Sequence, residues 1–273
     1  MLEQSDIGVF ITCSDDVARL QRCVEKAKVS LDNVHVNINT LDDEFKSQAS
    51  AYLDSVSIPY KVTESNGTPS KGKNATLDYF KELDYTYMLP VDGDDYLGKD
   101  AFNLINNLVV RHDPQVAVFQ SGPLVENEED GMEGGDFMSE SFNKTYRCNL
   151  EMMHRITQSF QHSGDAQTRC VLYHKVSIEN NIIRCDENIT WWEDYNLILK
   201  LKHYWNEEKL RLVQFFTDAE FYYYDLFGGK GSHQQGVEKK PEDFSQIMLK
   251  RSKSIEGLST DDNQFNLPKY ITI

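Results

Sequence analysis

An α/β fold with a central, mostly parallel sheet flanked by helices is what three observations on this 273-residue chain predict. Short apolar segments rich in β-branched residues alternate with amphipathic ones along its first part. The amphipathic segments are long enough to serve as crossover helices, which join successive strands in parallel through right-handed βαβ units. An apolar segment then runs straight into three carboxylates, "YMLPVDGDD", and open parallel sheets bind their ligands at the carboxyl ends of strands.

Taken in order, "DIGVFITC" reads as a buried strand, and "DDVARLQRCVEKAKVSL" places Val17, Leu20, Val24 and Ala27 on one helical face. Strand "NVHVNINT", helix "DDEFKSQASAYLDSV", strand "IPYKVTES", helix "SKGKNATLDYFKEL" and strand "YTYMLPV" continue the alternation. After the acids, "KDAFNLINNLVVRH" is a helix and "PQVAVFQSG" a strand. "VENEEDGMEGGDF" reads as an acidic surface loop whose spacing fits no EF-hand. Then follow helix "NLEMMHRITQSF", strand "TRCVLYH", a helix near "KVSIENN", a helix opening at "WWEDYNLILKLKHYW", and strands "LRLVQFF" and "AEFYYYD". The tail from Gly228 is polar and lysine-containing. With no internal repeat and no Pro- or Ser-rich linker, one two-part domain is expected.

Composition narrows the function classes. No run of eighteen apolar residues is present to span a bilayer, and the N-terminus lacks the basic start of a secretory signal, so a cytoplasmic address is expected. The five cysteines are odd in number and show no CxxC pair, which suggests neither a disulfide framework nor a zinc site. Sequons begin at Asn66, Asn74, Asn143 and Asn188, two of them inside segments assigned to chemistry below, where a glycan would obstruct the site. A net charge of −16 disfavours nucleic acid as a partner, although a local basic patch around Lys239, Lys240, Lys250, Arg251 and Lys253 leaves a modified nucleobase open.

The acids Asp92, Asp94 and Asp95, with Gly93 between the first two, have two readings. A solvated Asp-Gly turn is one. The other is a site for Mg²⁺ or Mn²⁺, which take one or two protein carboxylates and fill the remaining positions with water and substrate phosphate.

The surroundings favour the second. Residues 66–97, "NGTPSKGKNATLDYFKELDYTYMLPVDGDDYL", resemble the nucleotide-sugar segment of family 2-like glycosyltransferases with a GT-A fold. In that family a Gly-containing turn, a basic-Asn pair and a helix lead to an apolar strand ending in Asp-x-Asp-Asp. Here these are Asn66-Gly67, Lys73-Asn74, residues 75–83, and Asp92, Asp94 and Asp95. Residues 169–205 are similar to the family's acceptor half, with Asp186-Glu187 and then Glu193-Asp194 opening a helix; first-turn acids favoured by the helix dipole are the bland reading of that last pair.

The resemblance implies a GT-A catalytic domain over 1–225, with a nucleotide-sugar-binding half at 1–97 and an acceptor-binding half at 98–225, and a lid loop and tail at 226–273. It implies metal-dependent transfer of a sugar from a nucleotide-diphosphate sugar, UDP-sugar first, to a hydroxyl of a saccharide or glycoconjugate, with inversion. Asp94 and Asp92 would hold Mn²⁺ or Mg²⁺, joined by His233. Thr12, Asp43, Lys71, Lys73, Asn74, Gly93 and Ser232 would line the donor site. Asp194 would be the general base, with Trp191, Trp192 and Glu193 at the acceptor. Core packing by the two tryptophans, solvated lysines and an ordinary glycine turn at 228–235 are the alternatives. The chain departs from the family after its second strand, where "NINTLDDEF" puts Asn37 and Asn39 in the strand and delays the acids. A nucleotidyltransferase is disfavoured because no glycine-rich basic loop follows the first strand. A non-catalytic sugar-binding module on the same scaffold is the rival.

Overall fold

The computed structural model describes residues 3, 6–65, 68–120, 171–188, 193, 197, 201, 204, 210–216, 222–223 and 271–272. Strand and helix alternate as expected: β1 (Ile7–Cys13), α1 (Val17–Ser30), β2 (Val34–Asn39), α2 (Asp43–Ser55), β3 (Tyr60–Thr63), α3 (Pro69–Lys81), β4 (Tyr87–Asp92). Then come β5 (Tyr96–Leu97), α4 (Ala101–His112), β6 (Val116–Gln120), β7 (Val171–His174), α5 (Lys175–Glu179), β8 (Leu212–Phe216), β9 (Tyr222–Tyr223) and β10 (Ile271–Thr272).

Local chemistry sets the helix starts. Asp16 caps α1 by accepting from Arg19 N at 3.0 Å. Asp42 caps α2 by accepting from Glu44 N and Phe45 N, and Asp43 and Glu44 then occupy the first turn, where the helix dipole favours acids. The delayed acids of "NTLDDEF" are therefore a helix start. Pro69 opens α3 at a position that needs no N–H donor, so this helix begins one residue ahead of the expected "SKGKNATLDYFKEL" and carries Lys71 and Lys73 within it.

Eight strands form one sheet in the order β10-β8-β6-β7-β4-β1-β2-β3. Strands β1, β2, β3 and β4 pair in parallel. Strands β6, β8 and β10 form a second parallel block. Between the blocks, β7 runs antiparallel to both β4 and β6. The two halves inferred at 1–97 and 98–225 thus share one sheet. Ile271–Thr272, expected in the tail, return to its edge beside β8. Strands β5 and β9 make a separate antiparallel pair.

Alternating residues of the strands face opposite helical layers. Val9 and Ile11 of β1, Val36 and Ile38 of β2, and Leu89 and Val91 of β4 pack with Leu20 and Val24 of α1, Phe45 of α2 and Ile105 of α4. On the other face, Phe10 and Met88 pack with Leu77 and Phe80 of α3, Ile178 of α5, and Leu197 and Leu201. No helix among the described residues is long and apolar enough to cross a membrane.

Candidate functional site

The chain leaves β1 towards β2 and β3 on one side and returns as β4 on the other, so the strand order reverses between β1 and β4. At that switch point Thr12 and Asp92, the last facing residues, are register partners. The acidic motif follows at once. Gly93 N donates to Thr12 O at 2.8 Å, and Asp95 N closes the turn on Asp92 O at 2.9 Å. A Cβ on residue 93 would stand 2.6 Å from Cys13 Cβ and 2.9 Å from Thr12 O. Glycine is required there because the turn lies against the backbone of β1.

The acids differ. Asp95 is fully buried, and its Oδ2 accepts from the Tyr222 hydroxyl at 2.8 Å. That hydroxyl also accepts from Asp92 N at 3.3 Å. Asp92 and Asp94 are half-buried at the strand end. Arg22 of α1 donates through Nη2 to Asp94 O at 2.8 Å, and its guanidinium lies over the Tyr96 ring, 4.9 Å from the centroid. Behind the turn, burial and then the nearby Asp95 push the Cys23 thiol well up, and burial and then Asp15 push Cys13 up. Both stay protonated and act as packing groups.

Helix α3 forms the opposite wall. Thr12 Oγ1 and Thr76 Oγ1 lie 2.7 Å apart. Asn37 donates to Thr76 Oγ1 at 2.9 Å and accepts from Thr63 Oγ1 at 2.8 Å. Asn39 donates to Ser65 Oγ at 2.7 Å. Gly72 lets α3 approach this strand face closely, since a Cβ there would stand 2.4 Å from Asn39 Nδ2. Asn37 and Asn39 therefore hold β3 and α3 to β2.

From the outer part of α3, Lys73 Nζ reaches Glu193 Oε1 at 3.0 Å in a pair that is largely shielded from solvent. Asn74, expected at the donor, is 1% exposed and grips the segment after α5. Its amide donates to Cys185 O at 3.0 Å and Glu187 Oε1 at 2.9 Å, while its oxygen accepts from Cys185 N at 2.9 Å. Its burial also closes that sequon to a glycan. Lys71 is exposed. Asp43 is exposed on the first turn of α2, bound to Lys46 at 2.9 Å. Asp194, Trp191, Trp192, Ser232, His233, Asn66 and Gly67 lie outside the described residues.

Thr12, Thr76, Lys73, Asp92 and Tyr222 line a cavity of about 40 Å³ together with apolar residues that include Met88 and Leu197. That volume holds a few waters. Among the described residues no three His, Cys, Asp or Glu cluster to cage a metal. Two hard carboxylates at an open strand end nevertheless fit Mg²⁺ or Mn²⁺, whose remaining positions go to diphosphate oxygens and water. Tyr222, Arg22 and Thr76 were missed from sequence. The run of three tyrosines at 222–224 was the one visible signal for Tyr222.

No protein-family model matches this chain, and none of the curated proteins matches it. Solved structures do. Residues 1–349 of S. aureus TarS in complex with UDP-GlcNAc superpose with a TM-score of 0.63 at 14% identity, covering 94% of this chain and 68% of that one. The same fragment in complex with UDP gives 0.59 at 14%, with the same coverage. A longer TarS structure gives 0.58 at 16%, covering 91% of this chain and 39% of that one. At such identities the likeness establishes the fold, which is of the GT-A type expected.

Proposed function

We propose that the chain is a metal-dependent glycosyltransferase, of the family 2-like kind its two motif segments resemble. It transfers a sugar from a nucleotide-diphosphate sugar, UDP-sugar first, to an acceptor hydroxyl with inversion. The observation that carries this reading is the pairing of Thr12 with Asp92, which sets the acidic turn at the switch point of the sheet, where α/β folds bind nucleotides. Fold likeness to TarS structures holding UDP-GlcNAc and UDP supports a uridine nucleotide.

In this reading Asp94 and Asp92 hold Mn²⁺ or Mg²⁺, with His233 joining from the segment after β9. When bound, the cation supplies a Lewis acid to the departing diphosphate. Lys71 and Lys73 act on the phosphates as point charges. Thr12 and Asp43 serve the base side, and Ser232 the diphosphate. Asp194 takes the acceptor proton as the hydroxyl oxygen attacks the anomeric carbon and the bond to the diphosphate breaks. Trp191 and Trp192 offer aromatic faces to the acceptor sugar, with Glu193 beside them.

Calorimetry with UDP and Mn²⁺, paired with donor-hydrolysis and transfer assays, tests the proposal. EDTA should abolish turnover and Mn²⁺ restore it, and Asp94→Asn should lose metal-assisted UDP binding; full activity after chelation rejects the metal assignment. Asp194→Asn should keep donor affinity while transfer falls about 10²–10⁴-fold. A rate within about threefold of the parent leaves Glu193-Asp194 as helix-start acids, whose loss costs about 0.3–1 kcal/mol of stability.

A further inference from the structure

The acidic turn is clasped by a residue far along the chain. Tyr222 lies 127 positions beyond Asp95 and is 1% exposed. Its ring is seated by the antiparallel pairing of β9 with β5, where Tyr222 faces Leu97, and forms part of the cavity wall beside Thr12 and Asp92. A phenol offers one proton and accepting lone pairs, and both functions are used at this turn. The hydroxyl donates to Asp95 Oδ2 at 2.8 Å and accepts from Asp92 N at 3.3 Å. One oxygen therefore ties the residue that opens the turn to the one that closes it, while Arg22 holds the carbonyl of Asp94 between them.

We infer that Tyr222 is a positioning residue of the donor site: its hydroxyl sets the acidic turn so that Asp92 and Asp94 present their carboxylates to a metal and diphosphate it does not itself touch. The inference rests on the donor-site reading above. Phenylalanine at 222 fills the same space and keeps the strand pairing. It removes a donor from a buried carboxyl group and an acceptor from a backbone N–H, and groups so deprived reorient towards other partners. A tyrosine present for packing alone would not notice the change.

The test compares the full chain with Tyr222→Phe and with Tyr87→Phe. Tyr87 is the control because it too is a buried tyrosine, at the opposite end of β4, with its hydroxyl 3.4 Å from Asp113 Oδ1. By calorimetry, Mn²⁺-dependent UDP affinity should fall about 10–100-fold in Tyr222→Phe, the range for residues that orient metal ligands. It should be unchanged in Tyr87→Phe. Without metal or nucleotide, amide exchange at Asp92 should quicken in Tyr222→Phe, a reading that stands even where the variant is less stable. Parent-like affinity and exchange in Tyr222→Phe overturn the inference, as does an equal loss in both variants. A parent that binds no UDP with Mn²⁺ overturns the donor-site reading, and with it the role given to Tyr222, while exchange at Asp92 still reports separately whether the clasp exists.

Discussion

Gly93→Ala asks the most of the site's geometry. A Cβ at this residue would stand 2.6 Å from Cys13 Cβ, 2.9 Å from Thr12 O and 3.0 Å from Cys13 Cα. Resting carbon contacts lie about 3.5–4.0 Å apart, so the turn must retreat by about 1 Å. Strand β1 cannot yield, because it is hydrogen-bonded on both sides, to β2 and β4. The retreat opens the 2.8 Å bond from Gly93 N to Thr12 O. Overpacking of this kind costs about 1–3 kcal/mol and the lost hydrogen bond about 1 kcal/mol. For a chain of this size the melting temperature should drop by roughly 5–15 °C. A displacement of about 1 Å at the acids should also weaken catalysis on the order of 10²-fold. Scanning fluorimetry and the transfer assay measure the two effects, and calorimetry with UDP and Mn²⁺ reads the accompanying change in donor affinity. A variant that melts within about 1 °C of the parent and binds UDP equally refutes the claim that contact with β1 positions the turn.

Two further substitutions probe the scaffold behind the site. Asn74→Ala removes partners from Cys185 N, Cys185 O and Glu187 Oε1 at once, and should cost about 2 kcal/mol in urea unfolding, since the buried Cys185 peptide groups lose these bonds while the exposed Glu187 keeps Arg184; a loss near zero shows that the clamp is not stabilising. His35 stacks on Phe10 at 4.9 Å, and burial lowers its pKa to about 4 from an ordinary 6.5. The unfolded histidine therefore binds a proton where the folded one does not, so stability should fall as pH drops from about 6.5 towards about 4. The shift in urea midpoint between pH 7 and pH 5 should shrink in His35→Phe, and an unchanged shift assigns the pH dependence to other groups.

The parallel alternation was readable because it rests on local periodicity: apolar runs for buried strands and amphipathic spacing for α1 and α4. Polar residues inside a strand were not interpretable in the same way. Asn37 and Asn39 stood out as a departure from a family pattern, yet each faces the first turns of α3, whose Gly72 and Thr76 supply the close approach and the hydroxyl. Which helix covers which face is a tertiary fact, so a polar strand residue cannot be assigned from its own segment. The antiparallel insertion of β7 was hidden for a related reason. It joins the sheet after a long intervening stretch, and no local signal fixes strand direction over such a separation. At α2, the order "TLDDEF" does carry a local signal, a capping Asp42 followed by acids in the first turn.

The motif "DGDD" owes its four residues to four different demands. Asp92 is the last residue of β4 and, through Thr12, belongs to the sheet's switch point. Gly93 is there for space, because no side chain fits between the turn and β1. Asp94 has its carbonyl anchored by Arg22, which fixes the peptide, and its side chain is half-buried. Asp95 is fully buried, and its bond to Tyr222 ties this turn to the separate β5–β9 pair. Three adjacent acids therefore do not form one cluster of equivalent ligands. A buried carboxylate costs free energy unless it is hydrogen-bonded, so Asp95 is retained for the geometry it enforces through its tyrosine. In the proposed function, the two acids ahead of it are the pair that would meet a divalent cation. The expected order of damage on substitution follows: loss of Asp94 removes a ligand, loss of Gly93 moves both ligands, and loss of the Tyr222 hydroxyl loosens them.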